Sequence, residues 1–315
     1  MKKLERVMAL MALCAGLTIT VGAEEVNWTE ETRIEEVTSY PAFGDYGRLI
    51  FPVDTGYYSG STLGSLSLTW YSHIRPEKTV EIVNYMKQKV DDGEQIFYPI
   101  YTEEEIEADP WKADTGLFYF SGEAGAKFAI CNAGGGFAYV GAMHDSFPHA
   151  LELSKMGYHA FALIYRPGSQ TACEDLARAI AFIHEHAEEW DLDTQDYSLW
   201  GGSAGARMAA WLGSYGTVAF GEAEYPQPGA VIMQYTGLSE VYGNEPPTYN
   251  CVGTRDGIAS YRTMERRIAA IQAAGTDAMI EVFPGLSHGF GLGTGTVAEG
   301  WIDHAVAFWE KQMKE

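Results

Sequence analysis

The sequence has 315 residues, 46% of them hydrophobic and 13% aromatic, which is enough for a large core in one domain or two smaller ones. Acidic residues outnumber basic ones by 43 to 21, a formal charge of -22. A chain that neutralises phosphates needs a basic face, so this balance argues against nucleic acid or an anionic membrane as a partner.

The chain opens on the basic stretch MKKLER, continues with the apolar run VMALMALCAGLTITV and reaches the small residues Val21, Gly22 and Ala23. That is the pattern of a secretory signal, so residues 1–23 are expected to be removed and the mature chain exported, periplasmic or extracellular. The run is short for a membrane span, and no stable insertion of the mature chain is expected. Cys14 follows Leu13, a bulky residue where lipoprotein sites have Gly, Ala or Ser, which disfavours anchoring there. Cys131, Cys173 and Cys251 then remain, without CxxC spacing, and are expected as small buried hydrophobes rather than as disulfides or metal ligands.

Residues 24–95 read as an N-terminal extension packed on the main domain. They are rich in Tyr, Gly and Ser (GYYSGSTLGSLSLTWYSH) and supply one amphipathic helix, KTVEIVNYMKQKV. From 96 to 315 eight apolar runs are expected as strands: IFYPIY, GLFYFSG, KFAICNAG, HAFALIYR, YSLWGG, AVIMQYTG, TYNCVGT and MIEVFPG. Helical patterns separate the later ones: SFPHALELSKMG, ACEDLARAIAFIHEHAEEW, the run after Ser203, SYRTMERRIAAIQAAG and WIDHAVAFWEKQMKE. Such alternation predicts an α/β fold, a mostly parallel sheet with helices on both faces. About ten residues join Gly237 to Thr248, too few for a lid, so the extension is the expected cover for any pocket.

Gly-x-Ser-x-Gly occurs twice, around Ser203 in LWGGSAGARMAA and around Ser287 in PGLSHGFG. Context separates them. Ser203 follows an apolar strand and opens a helix, the sharp turn that lifts a hydroxyl above a sheet edge, whereas glycine saturates the sequence after Ser287. Ser203 is therefore the nucleophile candidate, against the ordinary role of a helix N-cap. A serine needs a base, and in the strand-turn-helix hydrolases the acid and then the histidine follow it in the chain. His288 lies just beyond the last expected strand, among glycines. His73, His144, His149 and His159 precede the serine, His184 and His186 face apart on a helix, and His304 is in the terminal helix. Asp256, in TYNCVGTRDG, ends the penultimate strand; Glu240 and Glu245 are rivals on the preceding loop. The triple glycine in NAGGGFAYVG has amides free to face an oxyanion, with the amide of Ala204 as partner. HEHAEE lacks His-Glu-x-x-His spacing, and neither metal nor cofactor is expected.

AGGGF at 133–137, MGYHAFALIYRPG at 156–168, the DLARAIAFI helix, GGSAG, GTRDG and SHGF, in that order, resemble α/β-hydrolase esterases. The chain is most similar to the acetyl-esterase and carbohydrate-esterase-like branch, with the hormone-sensitive-lipase-like esterases close to it. The resemblance spans about residues 95–315 and implies the α/β-hydrolase fold, a triad of Ser203, Asp256 and His288, and an oxyanion hole of Gly135, Gly136 and Ala204, Gly134 being the alternative donor. The expected activity is two-step acyl transfer on small-molecule or saccharide esters, short-chain acyl and acetyl first. The alternatives are an exported serine peptidase, and a binding protein on the same scaffold. Tyr57, Tyr58, Trp70, Tyr71 and Tyr139 form a candidate aromatic wall.

Overall fold

A computed structural model describes residues 27–313; the expected signal segment at 1–23 lies outside the described residues. Helix α1 (Ile34–Thr38) and a two-stranded ribbon of β1 (Tyr58–Ser59) and β2 (Ser67–Leu68) precede α2 (Pro76–Asp91). The chain then runs β3 (Phe97–Tyr98), α3 (Glu103–Ala108), β4 (Gly116–Phe120), β5 (Lys127–Asn132), α4 (Ala142–Asp145), α5 (Phe147–Lys155), β6 (His159–Ile164) and α6 (Ser169–Glu185). It ends with β7 (Asp193–Gly202), α7 (Ala204–Tyr215), β8 (Ala230–Gln234), β9 (Thr248–Gly253), α8 (Tyr261–Ala273), β10 (Ala278–Phe283) and α9 (Trp301–Gln312).

Strands β3 to β10 form one eight-stranded sheet in the order β10-β9-β8-β7-β5-β6-β4-β3. Pairing is parallel from β10 to β6 and antiparallel where β6 meets β4 and β4 meets β3. The period of two decides which side each residue serves. In β5, Phe128 and Ile130 join the cluster that holds Leu176, Ala209 and Met264 from α6, α7 and α8. Their neighbours Ala129 and Cys131 join the opposite cluster, with Val83 of α2, Leu151 of α5 and Trp309 of α9. Both faces are covered, which is why these strands read as continuous apolar runs. Cys131, Cys173 and Cys251 are buried and free, as their apolar contexts imply.

The extension enters the same core. Trp28, Val37, Phe43 and Leu63 are buried in one cluster with Phe118 and Phe147. Trp28 and Asn84 exchange two hydrogen bonds of 2.9 Å, backbone amide to side-chain oxygen and side-chain amide to backbone carbonyl. This segment carries more structure than its single predicted helix: α1, the ribbon and a 3-10 stretch, Pro41–Leu49. The short α3 also goes beyond the sequence reading, although Thr102 and Glu105 form a capping box whose residue types stand in TEEE. The expected helix across HEHAEEW stops at Glu185 and gives way to a 3-10 turn, Ala187–Trp190. Among the described residues no helix is long and apolar enough to cross a membrane.

Phe43 is fully buried beside the rings of Trp28, Tyr40 and Tyr46, so Phe43→Ala should remove about 3–5 kcal/mol of stability. Loss should appear as one cooperative transition, by circular dichroism and tryptophan fluorescence alike; an early separate transition would show that the extension folds apart from the sheet.

Candidate active site

Four loops at the C-terminal ends of parallel strands converge. Ser203 follows β7, Asp256 follows β9, His288 follows β10, and the glycines 134–136 follow β5. Ser203 has φ 51° and ψ -112°, a backbone conformation that L-residues avoid and that a tight strand-to-helix turn imposes. Its amide donates to Gln234 O at 2.9 Å, tying the turn to β8. The motif glycines are steric necessities here: a Cβ on Gly205 would sit 2.0 Å from the carbonyl oxygen of Asn132, and one on Gly202 would sit 2.3 Å from the Asp145 carboxylate.

The three side chains singled out in the sequence meet. His288 Nε2 lies 3.1 Å from Ser203 Oγ, and its Nδ1 lies 2.8 Å from Asp256 Oδ2. A carboxylate only accepts, so the imidazole carries its proton on Nδ1 and leaves Nε2 as the acceptor facing the hydroxyl. The other Asp256 oxygen accepts from the amides of Ile258 and Ala259 at 2.8 and 2.7 Å, which fixes the carboxylate plane. The local turn contacts and the contact with the imidazole are thus held by different oxygens. Glu245 instead accepts from the backbone amides of Tyr242 and Gly243, and Glu240 from that of Ser239. Neither meets the histidine. Ser287 bonds Ser72 Oγ at 3.2 Å.

The triple glycine divides its labour. The amide of Gly134 donates to Asp145 Oδ2 at 2.7 Å, which removes it as a donor to a ligand. Among the described residues no acceptor takes the amides of Gly135, Gly136 or Ala204, and Gly135 and Gly136 have φ of +126° and +63°. Those two glycines and Ser203 line one cleft with Trp70, Tyr71, Ile258 and His288, of about 410 Å³. A second cleft of about 210 Å³ adjoins it, sharing Gly136, Ser203 and Ile258 and lined besides by Phe137, Ala204, Arg207 and Thr236 among others. Of the five residues of the expected aromatic wall, Trp70 and Tyr71 line the first cleft; Tyr57 and Tyr139, stacked at 4.7 Å, and Tyr58 do not.

Asp145 is the functional residue that sequence reasoning passed over. It is buried, and besides Gly134 it accepts from Tyr71 OH at 2.9 Å and from Tyr235 OH in a short hydrogen bond. Burial first, and the Asp145 carboxylate second, push both phenols well above the ordinary tyrosine value, so each remains a donor. The Tyr235 ring packs against His288, with ring centroids 5.0 Å apart. His144, one residue earlier, is held below its ordinary value by burial and is neutral; its Nε2 donates to Gly289 O at 2.9 Å. Ser72 completes the support from the extension, its hydroxyl donating to His288 O at 2.7 Å and its amide to Gly289 O at 3.0 Å.

Comparison with known proteins agrees with this architecture. Residues 121–235 match the model of the BD-FAE family. No curated protein matches. Among solved structures, the acetyl ester-xyloside bifunctional hydrolase of Caldicellulosiruptor lactoaceticus superposes with a TM-score of 0.61 at 20% identity, over 68% of this chain and 95% of that one. Esterase 2 of Thermogutta terrifontis with propionate bound gives 0.56 at 21% identity, over 68% and 93%. MGS-M1, an alpha/beta hydrolase from a Medee basin deep-sea metagenome library, gives 0.54 at 18%, over 63% and 92%. Similarity at this identity is similarity of fold.

Removing the Asp145 carboxylate leaves three buried donors without an acceptor, at about 1–3 kcal/mol each. Asp145→Ala should therefore lose more than about 3 kcal/mol in denaturant unfolding, and Asp145→Asn, which keeps one acceptor oxygen, distinctly less. Equal and small losses would show that the network carries little of the site's stability.

Proposed function

We propose that this α/β hydrolase is a serine carboxylesterase that acts by two-step acyl transfer, with Ser203 as nucleophile, His288 as general base and acid, and Asp256 as the group that orients the imidazole. The observation that carries the reading is the pair of contacts His288 makes, 3.1 Å to Ser203 Oγ and 2.8 Å to Asp256 Oδ2, with the serine on a strained turn at the mouth of two clefts.

In the first step His288 Nε2 takes the hydroxyl proton as Ser203 Oγ attacks the ester carbonyl, and the amides of Gly135, Gly136 and Ala204 receive the developing oxyanion. The imidazolium then protonates the departing alkoxide. Water, deprotonated by the same histidine, releases the acyl group in the second step. The Ser203 backbone holds the hydroxyl in place before substrate arrives, so the reaction does not spend time or free energy organising the nucleophile.

For substrate we propose short-chain acyl esters, acetyl among them, with a carbohydrate alcohol as one class. Support comes from the small cleft of about 210 Å³ and from the aromatic face of Trp70, 47% exposed, of the kind on which sugars stack. Solved structures similar to this chain in fold include a protein described as an acetyl ester-xyloside bifunctional hydrolase and an esterase with propionate bound. Export belongs to the same proposal and rests on the basic, then apolar, then small-residue order of residues 1–23.

The mature protein should hydrolyse p-nitrophenyl esters with rates that fall from acetate and butyrate to decanoate. Ser203→Ala should lower kcat by at least about a thousandfold with little change in thermal stability. Equal, slow rates for wild type and variant on every ester would overturn the assignment.

A further inference from the structure

Arg207 lies on α7 one turn beyond its N-cap residue Ser203, and its amide donates to Ser203 O at 3.3 Å. It is half-buried and lines the smaller cleft together with Ser203, Ala204, Thr236 and Gly237. Among the described residues its guanidinium makes neither a hydrogen bond nor an ion pair. In a chain with 43 acids against 21 bases that contrasts with buried Arg166, taken by Asp175, and half-buried Lys127 and Lys78, taken by Asp193 and Glu152, while buried Arg267, which makes no ion pair among the described residues, still donates to Glu240 O. The acid nearest in effect is Glu240, held below its ordinary value first by its own backbone amide and, more weakly, by Ser239 and Arg207. No Arg207 to Glu240 ion pair forms. A guanidinium withdrawn from water without a partner is unfavourable, and its planar fork of donors suits a carboxylate.

The two clefts can be told apart chemically. His288 must protonate the departing alcohol, so the alcohol lies in the cleft that His288 lines, with Trp70 and Tyr71. The acyl group then occupies the other cleft, where Arg207 is. We propose that Arg207 selects acyl groups that end in a carboxylate, so that the preferred substrates are half-esters of short dicarboxylic acids such as succinate or malonate. This rests on the serine esterase reading and narrows its acyl group. The bond made is from Ser203 Oγ to the acyl carbon and the bond broken is from that carbon to the alcohol oxygen, which takes the proton from His288. Water then yields the free dicarboxylate, whose distal carboxylate stays paired with Arg207 throughout and takes no part in the bond changes.

The test compares mono-4-nitrobenzyl succinate with 4-nitrobenzyl pentanoate, which share the alcohol and nearly match in acyl length, by chromatographic release of 4-nitrobenzyl alcohol. Wild type should favour the succinate in kcat/KM by about tenfold or more, and Arg207→Gln should lower that ratio by at least about tenfold, with Arg207→Lys between. A ratio is independent of the fraction folded, so a poorly folding variant still reports. Raising the salt concentration should shrink the wild-type preference. Equal or better use of pentanoate by wild type, or an equal loss on both esters in Arg207→Gln, would overturn the Arg207 assignment and leave the esterase reading standing. Wild type that cleaves neither ester would overturn the esterase reading and this one with it.

Discussion

The carboxylate of Asp145 is the constraint on which the rest of the site depends. A buried carboxylate is costly unless donors surround it, and here each donor comes from a different part of the chain: Tyr71 from the extension, Gly134 from the loop after β5, Tyr235 from the end of β8. Satisfying one charge therefore fixes three segments at once. Gly202 lies so close to it that any side chain there would collide, which places the elbow bearing Ser203 in the same contact. The His288 loop is held by hydrogen bonds from His144 to Gly289 O and from Ser72 to His288 O, and by the Tyr235 ring against the imidazole.

Consequences for chemistry follow from this assembly. The Gly134 amide is spent on Asp145, and the next two glycines line the cleft beside Ser203. Asp256 divides its two oxygens between the backbone of residues 258 and 259 and the imidazole. Strain at Ser203 is retained because the amide bond to Gln234, the helix that starts at Ala204 and the glycines on either side leave no relaxed alternative. Under the proposed esterase mechanism each of these groups is thus positioned before a substrate arrives, the condition under which hydrogen-bond donors stabilise developing charge most effectively.

Much of this was legible in the sequence, and the boundary has a physical cause. The central strands stand out because both faces of the sheet are covered there, so β6 and β8 and most of β5 read as apolar runs, while the edge strands β3 and β10 are half-exposed and are marked by aromatic and β-branched residues instead. Ser203, Asp256 and His288 stand out because each sits soon after a strand, in glycine-rich context, in the chain order of the α/β-hydrolase fold. Asp145 did not, because its partners are 74, 11 and 90 positions away and its own surroundings, AMHDSF, read as an ordinary helix start. An acid among buried apolar neighbours was the available signal. Arg207 had one too: a lone cation in AGARMAAW, on a helix otherwise of small and apolar residues. The fine structure of the extension escaped because short 3-10 turns and two-residue strands have no period to detect.

The central claim is that Ser203, and not the serine of the second Gly-x-Ser-x-Gly, is the activated nucleophile. Treating the wild-type protein with a fluorophosphonate and locating the adduct by peptide mass spectrometry tests it most directly. A single adduct on Ser203, abolished by acid unfolding before treatment, is the predicted result. An adduct on Ser287, or no adduct on folded protein, would contradict the account.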